Sequence, residues 1–157
     1  MILSMKKVKA YSLSILIAVG VGALAGFLSR NSMEAFRSLS KPALTPPPNL
    51  FPIVWTILYI LMGISAALIY QSDSPSKGHA LTLYAIQLAV NFLWTLFFFN
   101  LKLYWFSFFW LLLLLGLIAS MIVSFWKISR LSALLQFPYL LWVLFAGYLN
   151  LMIAILN

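Results

Sequence analysis

Five stretches of about twenty residues, each with an interior free of Asp, Glu, Lys and Arg, occupy most of this 157-residue chain. They run from about 8 to 28, 51 to 70, 79 to 99, 103 to 126 and 131 to 156. At about 1.5 Å per residue a helix of that length covers about 30 Å, the thickness of a bilayer's hydrocarbon core. Lipid offers no partner to backbone N–H and C=O groups, so a segment crossing it must pair them internally, as a helix does. The pattern predicts an all-α membrane protein: one domain, residues 1–157, folded as a bundle of five transmembrane helices. Composition agrees, with 64% hydrophobic residues and only 8% charged ones. A soluble domain has about 25% charged residues. That excludes a soluble enzyme, a nucleic-acid-binding module and a disordered chain. The first stretch, headed by Lys6, Lys7 and Lys9, is longer than the apolar region of a signal peptide and reads as a retained helix.

The charges mark the membrane's edges. Ten Lys and Arg face two acids, Glu34 and Asp73, and all sit between the spans or at their margins. A net charge of +8 so distributed points to lipid headgroups rather than to nucleic acid. With the N-terminus inside, the inner side carries Lys6, Lys7, Lys9, Lys77, Lys127 and Arg130, and the outer side Arg30, Arg37, Lys41 and Lys102. This bias predicts an inside N-terminus. There is no cysteine and one histidine, so disulfides, thiolate chemistry and zinc or iron–sulfur sites are not expected, and no metal or cofactor is required. Ionisable groups at mid-membrane are the usual mark of pumps and ion-coupled carriers. None is present, and function must rest on neutral polar groups, aromatics and shape.

The connectors differ in kind. Residues 30–50 form the one long loop, with Arg30, Arg37, Lys41, Pro42 and the run Pro46-Pro47-Pro48, which favours extended backbone. Pro52 suits the first turn of the second span. Residues 71–78, 100–102 and 127–130 make short turns, and Pro138 falls inside the fifth span.

Polar and aromatic residues recur on single helical faces. Trp55, Tyr59 and Gly63 repeat at every fourth position; Gln87, Asn91, Trp94 and Phe98 share a face; so do Pro138, Trp142, Ala146 and Asn150. Two readings stand. The three faces converge on an apolar cavity with a few amide groups, the usual make-up of a small-molecule site. Alternatively, Asn91 and Asn150 bind helix to helix and the indoles serve as interfacial belts, as Trp105, Trp110 and Trp126 are expected to do. The stripes Ser14, Ala18, Gly22, Gly26 and Gly116, Ser120, Ser124 suit close helix approach, within the bundle or between two copies. His79 reads as an interfacial polar residue with no catalytic partner nearby.

The segment from Lys41 to Gly63, KPALTPPPNLFPIVWTILYILMG, resembles the signature of the TspO/MBR family of translocator and tryptophan-rich sensory proteins. The likeness continues through Asn91-Phe92-Leu93-Trp94-Thr95 with Phe97-Phe98. It ends with Pro138-Tyr139-Leu140-Leu141-Trp142-Val143-Leu144-Phe145-Ala146 and Leu149-Asn150. The resemblance implies a homodimeric five-helix bundle in which the first long loop, with Lys41, Pro42, Pro46 and Pro47, acts as a lid over a ligand pocket. It implies a ligand of the porphyrin class, such as protoporphyrin IX or a haem-related tetrapyrrole. The pocket residues it implies are Trp55, Tyr59, Asn91, Trp94, Trp142, Ala146 and Asn150. Arg37 and Lys41 then have two readings, as partners of the propionates or as lipid-headgroup anchors.

Two departures stand out. The family often has Trp-Tyr before the Lys-Pro element and Trp just after it, where this chain has Ala35-Phe36 and Leu44. The last span ends Leu151-Met152-Ile153-Ala154-Ile155-Leu156-Asn157 without a basic residue, which does not match sterol recognition of the animal type and fits a bacterial or other non-animal member in a cytoplasmic membrane. Three functions are compatible with the resemblance: porphyrin sensing by reversible binding; light- and oxygen-dependent porphyrin degradation with Trp55 and Trp142 as the reacting indoles; and transport of porphyrins or other apolar molecules.

Overall fold

The computed structural model describes residues 4–157. Its helices are α1 (Met5–Ser29), α2 (Met33–Arg37), α3 (Leu50–Tyr70), α4 (Lys77–Thr95), α5 (Tyr104–Trp126) and α6 (Arg130–Leu156). A 3₁₀ turn, Arg30–Ser32, joins α1 to α2, and a π-helical turn, Leu96–Asn100, closes α4. Five segments are long and apolar enough to cross a membrane.

Local chemistry sets the helix ends. Ser4 Oγ accepts from the Lys7 N–H at 3.2 Å and Ser129 Oγ from the Ser132 N–H at 3.3 Å, so α1 and α6 begin on side-chain caps. Thr56, Thr82 and Ser120 return their hydroxyls to the carbonyls four residues earlier, which lets polar residues lie on lipid-facing surface. Lys102 takes φ 54°, the left-handed conformation that reverses the chain between α4 and α5.

The helices close into a ring: α1 packs on α3, α3 on α6, α6 on α5, α5 on α4 and α4 on α1. Outward faces are apolar, with Leu16, Leu24, Phe109 and Leu141 exposed. The interior combines Met62, Ile69, Ile118, Met121 and Phe125 with a set of buried polar residues: Ser65, Gln87, Asn91, Ser107, Ser132, Gln136 and Asn150. Lipid is as apolar as leucine, so packing and hydrogen bonds, rather than expulsion of apolar groups from water, hold such a ring together. Close approach is tightest between α1 and α3. A Cβ on Gly63 would fall 2.5 Å from Ile15 Cα, and Ser14 Oγ donates to the Gly63 carbonyl at 2.7 Å. The stripe Ser14–Ala18–Gly22 is thus used within the bundle. Gly116 faces open space on α5, and a Cβ there would meet nothing within 4 Å.

Two expectations are corrected. The connector 30–50 is not a loop throughout, because residues 30–37 continue as helix and only 38–49 are irregular. The cause is Phe36, buried in a cluster with Phe51, Phe98 and Phe99 at centroid distances of 6.3, 6.1 and 5.3 Å. That anchor gives the short helix an apolar side to pack. Trp110 is not a belt residue either. It is half-buried, and its indole N–H donates to the Val90 carbonyl at 2.8 Å, tying α5 to α4. Trp105 and Trp126 are outward-facing and exposed.

Candidate functional site

A cavity of about 600 Å³ opens at the end of the ring where α1 and α4 finish and α3 begins. Small-molecule sites occupy roughly 300–1,000 Å³. Trp55, Tyr59, Trp94, Trp142, Ala146 and Asn150 all line it. Trp55 and Tyr59, one turn apart on α3, stack at 5.6 Å with planes 29° apart. Trp94 and Phe98 stack likewise at 5.4 Å and 22°. Trp142 meets Phe51 edge-on at 5.8 Å. The lining is therefore mostly aromatic faces and edges, suited to a flat apolar molecule.

The polar groups divide by availability. Asn150 is engaged at both ends of its amide: its Oδ1 accepts from the Trp94 indole at 3.0 Å and its Nδ2 donates to the Tyr104 carbonyl at 2.8 Å. Asn91 does not line the cavity. It lies behind the wall, wholly buried, and its Nδ2 donates to the Tyr59 hydroxyl at 3.2 Å. The Trp142 indole N–H is buried and has no protein acceptor. It is thus a buried donor, placed here by sequence, that is available to a bound molecule.

The cover over the cavity is built from helix. Arg30, Met33, Phe36 and Arg37 line its mouth, whereas Lys41, Pro42, Pro46 and Pro47 do not line the cavity. Lys41 is turned inward to donate to the carbonyls of Phe36, Arg37 and Leu39 at 3.0, 2.9 and 3.1 Å. An ammonium at a helix C-terminus satisfies the orphan carbonyls there. The expectation that Lys41 meets a ligand carboxylate is therefore replaced by a capping role, and Arg30 joins Arg37 as the cationic pair at the mouth. Arg30 is held by the Phe27 carbonyl at 2.6 Å, with its guanidinium 3.8 Å above the Phe27 ring. The irregular stretch is pinned to the end of α6, where Asn157 accepts from the Ser40 N–H at 3.1 Å and donates to its carbonyl at 2.9 Å.

Residues from α1 complete the wall, Val19, Gly22, Ala25 and Gly26 among them. A Cβ on Gly22 would clash with the Tyr59 ring, so this glycine lets the cavity-lining tyrosine lie flat against α1. Periodicity had marked Gly22 and Gly26 only as packing residues. Arg30, Met33 and Phe36 carried no signal, because polar residues flank them and their helix is under two turns long. His79 is exposed and borders a separate groove with Lys127 at the opposite end of the ring.

Comparison with known proteins places this architecture. The family model described as TspO/MBR family matches residues 14–156. Protein CrtK of Rhodobacter capsulatus is 41% identical over 78% of this chain and 78% of its own. The tryptophan-rich protein TspO of Chlorobaculum tepidum is 34% identical over 97% of this chain and 98% of its own. A tryptophan-rich sensory protein of Cereibacter sphaeroides is 35% identical over 90% and 87%. With five membrane-spanning helices around an aromatic cavity, and with that likeness over nearly its whole length, the chain belongs to the TspO/MBR family of integral, multi-pass membrane proteins.

Proposed function

We propose that this protein binds a porphyrin-type tetrapyrrole in the cavity beneath α2 and acts as a membrane sensor of that ligand. One observation carries the reading: three indoles, Trp55, Trp94 and Trp142, line one cavity whose mouth carries Arg30 and Arg37. A flat apolar macrocycle gains from stacking on the aromatic walls, and its carboxylates from guanidinium groups at the water boundary. The sensory name of one relative supports the same reading. Titration with protoporphyrin IX, followed by quenching of Trp fluorescence, tests it. Trp142→Ala is expected to weaken binding by roughly ten- to a hundredfold, equivalent to about 1.4–2.8 kcal/mol. Unchanged affinity removes Trp142 from the site.

Photochemical degradation is a second reading, supported by the presence of Trp55 and Trp142 in the same cavity. Under light and oxygen, loss of porphyrin absorbance that depends on both indoles favours degradation, and reversible binding without loss favours sensing. Transport finds less support, because the spans hold no ionisable group to couple it to an ion gradient. We also propose a homodimer in a bacterial cytoplasmic membrane with the N-terminus inside. The outward stripe at Gly116 supports the first part and the six-against-four cation bias the last. The chain lacks cysteine, so Gly116→Cys provides one site-specific crosslink, and a Cys added at Ser4 reports sidedness.

A further inference from the structure

Below the cavity floor, toward the face opposite α2, the centre of the ring is lined by polar side chains. Tyr84, Gln87 and Asn91 come from α4, Gln136 and Tyr139 from α6; Gln87, Asn91 and Gln136 are 0% exposed. α4 and α6 stand across the ring from each other; beside the cavity they are joined by the Trp94–Asn150 bond, and at this lower level by a second one, Tyr139 hydroxyl to Gln87 Oε1 at 2.7 Å. Both helices run in the same direction through the membrane, so this bond fixes their register. Tyr84 precedes Gln87 and Gln136 precedes Tyr139 by three positions, so each stands about 4.5 Å nearer the opposite face than the bonded residue on its own helix. One further turn along α6 from Gln136 stands Ser132, within the first turn of that helix. In the other direction, Asn91 meets the Tyr59 hydroxyl on the cavity wall.

This line of groups is incompletely paired. The Tyr84 hydroxyl, Gln87 Nε2, Asn91 Oδ1, the Ser132 hydroxyl and both amide atoms of Gln136 are buried and have no protein partner. Folded proteins leave few buried polar atoms unpaired, and scattered ones rather than a row. An apolar void stays dry, but a space where several donors and acceptors converge holds water. The residues are all neutral and offer donors and acceptors in mixture, a set that suits water and not a metal cation, which calls for carboxylates or clustered carbonyls.

We infer that the lower half of the ring is a built hydration site. Waters are held among Tyr84, Gln87, Asn91 and Gln136, and they extend the hydrogen-bonded line from Tyr59 on the cavity wall to Ser132. A ligand enclosed under α2 thereby meets, through the Tyr59 hydroxyl, a hydrated interior rather than a dry one. This site stands whether or not the cavity takes a porphyrin.

Hydroxyl-radical footprinting by X-ray radiolysis, on the full chain in lipid nanodiscs without ligand, tests the inference, because radicals formed from bound water modify the side chains beside it. Tyr84 and Tyr139 are expected to be oxidised several-fold faster than Phe125, whose ring lies 6.5 Å from that of Tyr84 but in an apolar setting. Met62 and Met121, more reactive by nature, are fully buried and belong to none of the hydrogen-bonded groups above, and are expected to lag behind their intrinsic rates. Tyr84 and Tyr139 rates no higher than that of Phe125 overturn the proposal. In Gln136→Leu the Tyr84 rate is expected to fall several-fold with the thermal midpoint unchanged or raised. An undiminished Tyr84 rate in a folded Gln136→Leu protein overturns the place of Gln136 in the site. The wild-type comparison stands if that variant does not fold.

Discussion

The indole N–H of Trp94 donates to Asn150 Oδ1 at 3.0 Å across the ring, and the same amide donates from Nδ2 to the Tyr104 carbonyl at 2.8 Å. One side chain thus joins α4, α5 and α6 directly beside the cavity. Asn150→Leu removes both bonds and leaves the Trp94 N–H without its partner. Hydrogen bonds in membrane proteins average about 0.6 kcal/mol, and an orphaned buried donor adds about 1–3 kcal/mol. A destabilisation of about 2–3 kcal/mol is therefore expected, read as a lowered thermal midpoint in detergent. A midpoint matching wild type contradicts the clamp. The same experiment separates a structural amide from a ligand-binding one: loss of stability should exceed loss of affinity here, the reverse of Trp142→Ala.

The glycines of the α1–α3 contact make a graded set. Gly63→Ala drives a methyl into the Ile15 backbone, which cannot rotate away, and overpacking of this kind costs about 1–3 kcal/mol. Gly22→Ala meets the Tyr59 ring instead, which displaces it from its bond with Asn91 and narrows the cavity. Its expected effect is on ligand affinity more than on the melting midpoint. Gly116→Ala meets nothing within its own chain and, by removing a mid-helix glycine, is expected to be neutral or to stabilise the single bundle by up to about 1 kcal/mol. Thermal denaturation and ligand titration of the three variants side by side check this order.

Trp110→Phe keeps an aromatic ring against Phe97 and Phe106, whose centroids lie 5.1 and 6.1 Å away, but loses the donor to the Val90 carbonyl. That carbonyl has a second lone pair engaged in its own helix, so the loss is limited to one bond, about 0.6–1.7 kcal/mol. Replacing an outward-facing residue such as Trp105 by Phe should leave stability within about 0.5 kcal/mol. Equal melting midpoints for the two variants would return Trp110 to the surface belt.

The residues found by sequence and those missed differ in what fixes them. The five spans are legible because lipid imposes length and apolarity on every residue of a crossing helix. Trp55, Tyr59, Trp94, Trp142, Ala146 and Asn150 are legible because helical period places them on inward faces. Asn91 sits on the same face as Trp94, yet it lies behind the cavity wall, where its Nδ2 donates to the Tyr59 hydroxyl. Periodicity gives a side and not a depth. The helical cover was hidden because its formation depends on Phe36 finding Phe51, Phe98 and Phe99, contacts from two distant segments. The capping role of Lys41 was hidden for a related reason. A lysine beside a proline-rich stretch has the same sequence signal whether it faces a ligand or three carbonyls of its own backbone.

Those two positions, Lys41 and Arg37, therefore separate charge recognition from lid architecture. Lys41→Met removes the cap that closes α2 and leaves the Phe36, Arg37 and Leu39 carbonyls without this donor. The cover should loosen for any ligand, charged or not, and limited proteolysis within residues 38–49 should accelerate. Arg37→Gln leaves the cap in place and removes one of the two guanidinium groups at the mouth. It should weaken binding of protoporphyrin IX but not of its dimethyl ester, and it should reduce the loss of affinity caused by added salt, since a boundary charge is screened over about 8–10 Å. The size expected is about 0.2–1 kcal/mol, at most about fivefold in the dissociation constant, because a water-exposed guanidinium is worth little per pair. If Lys41→Met discriminates between acid and ester while Arg37→Gln does not, the assignment of the two roles is reversed.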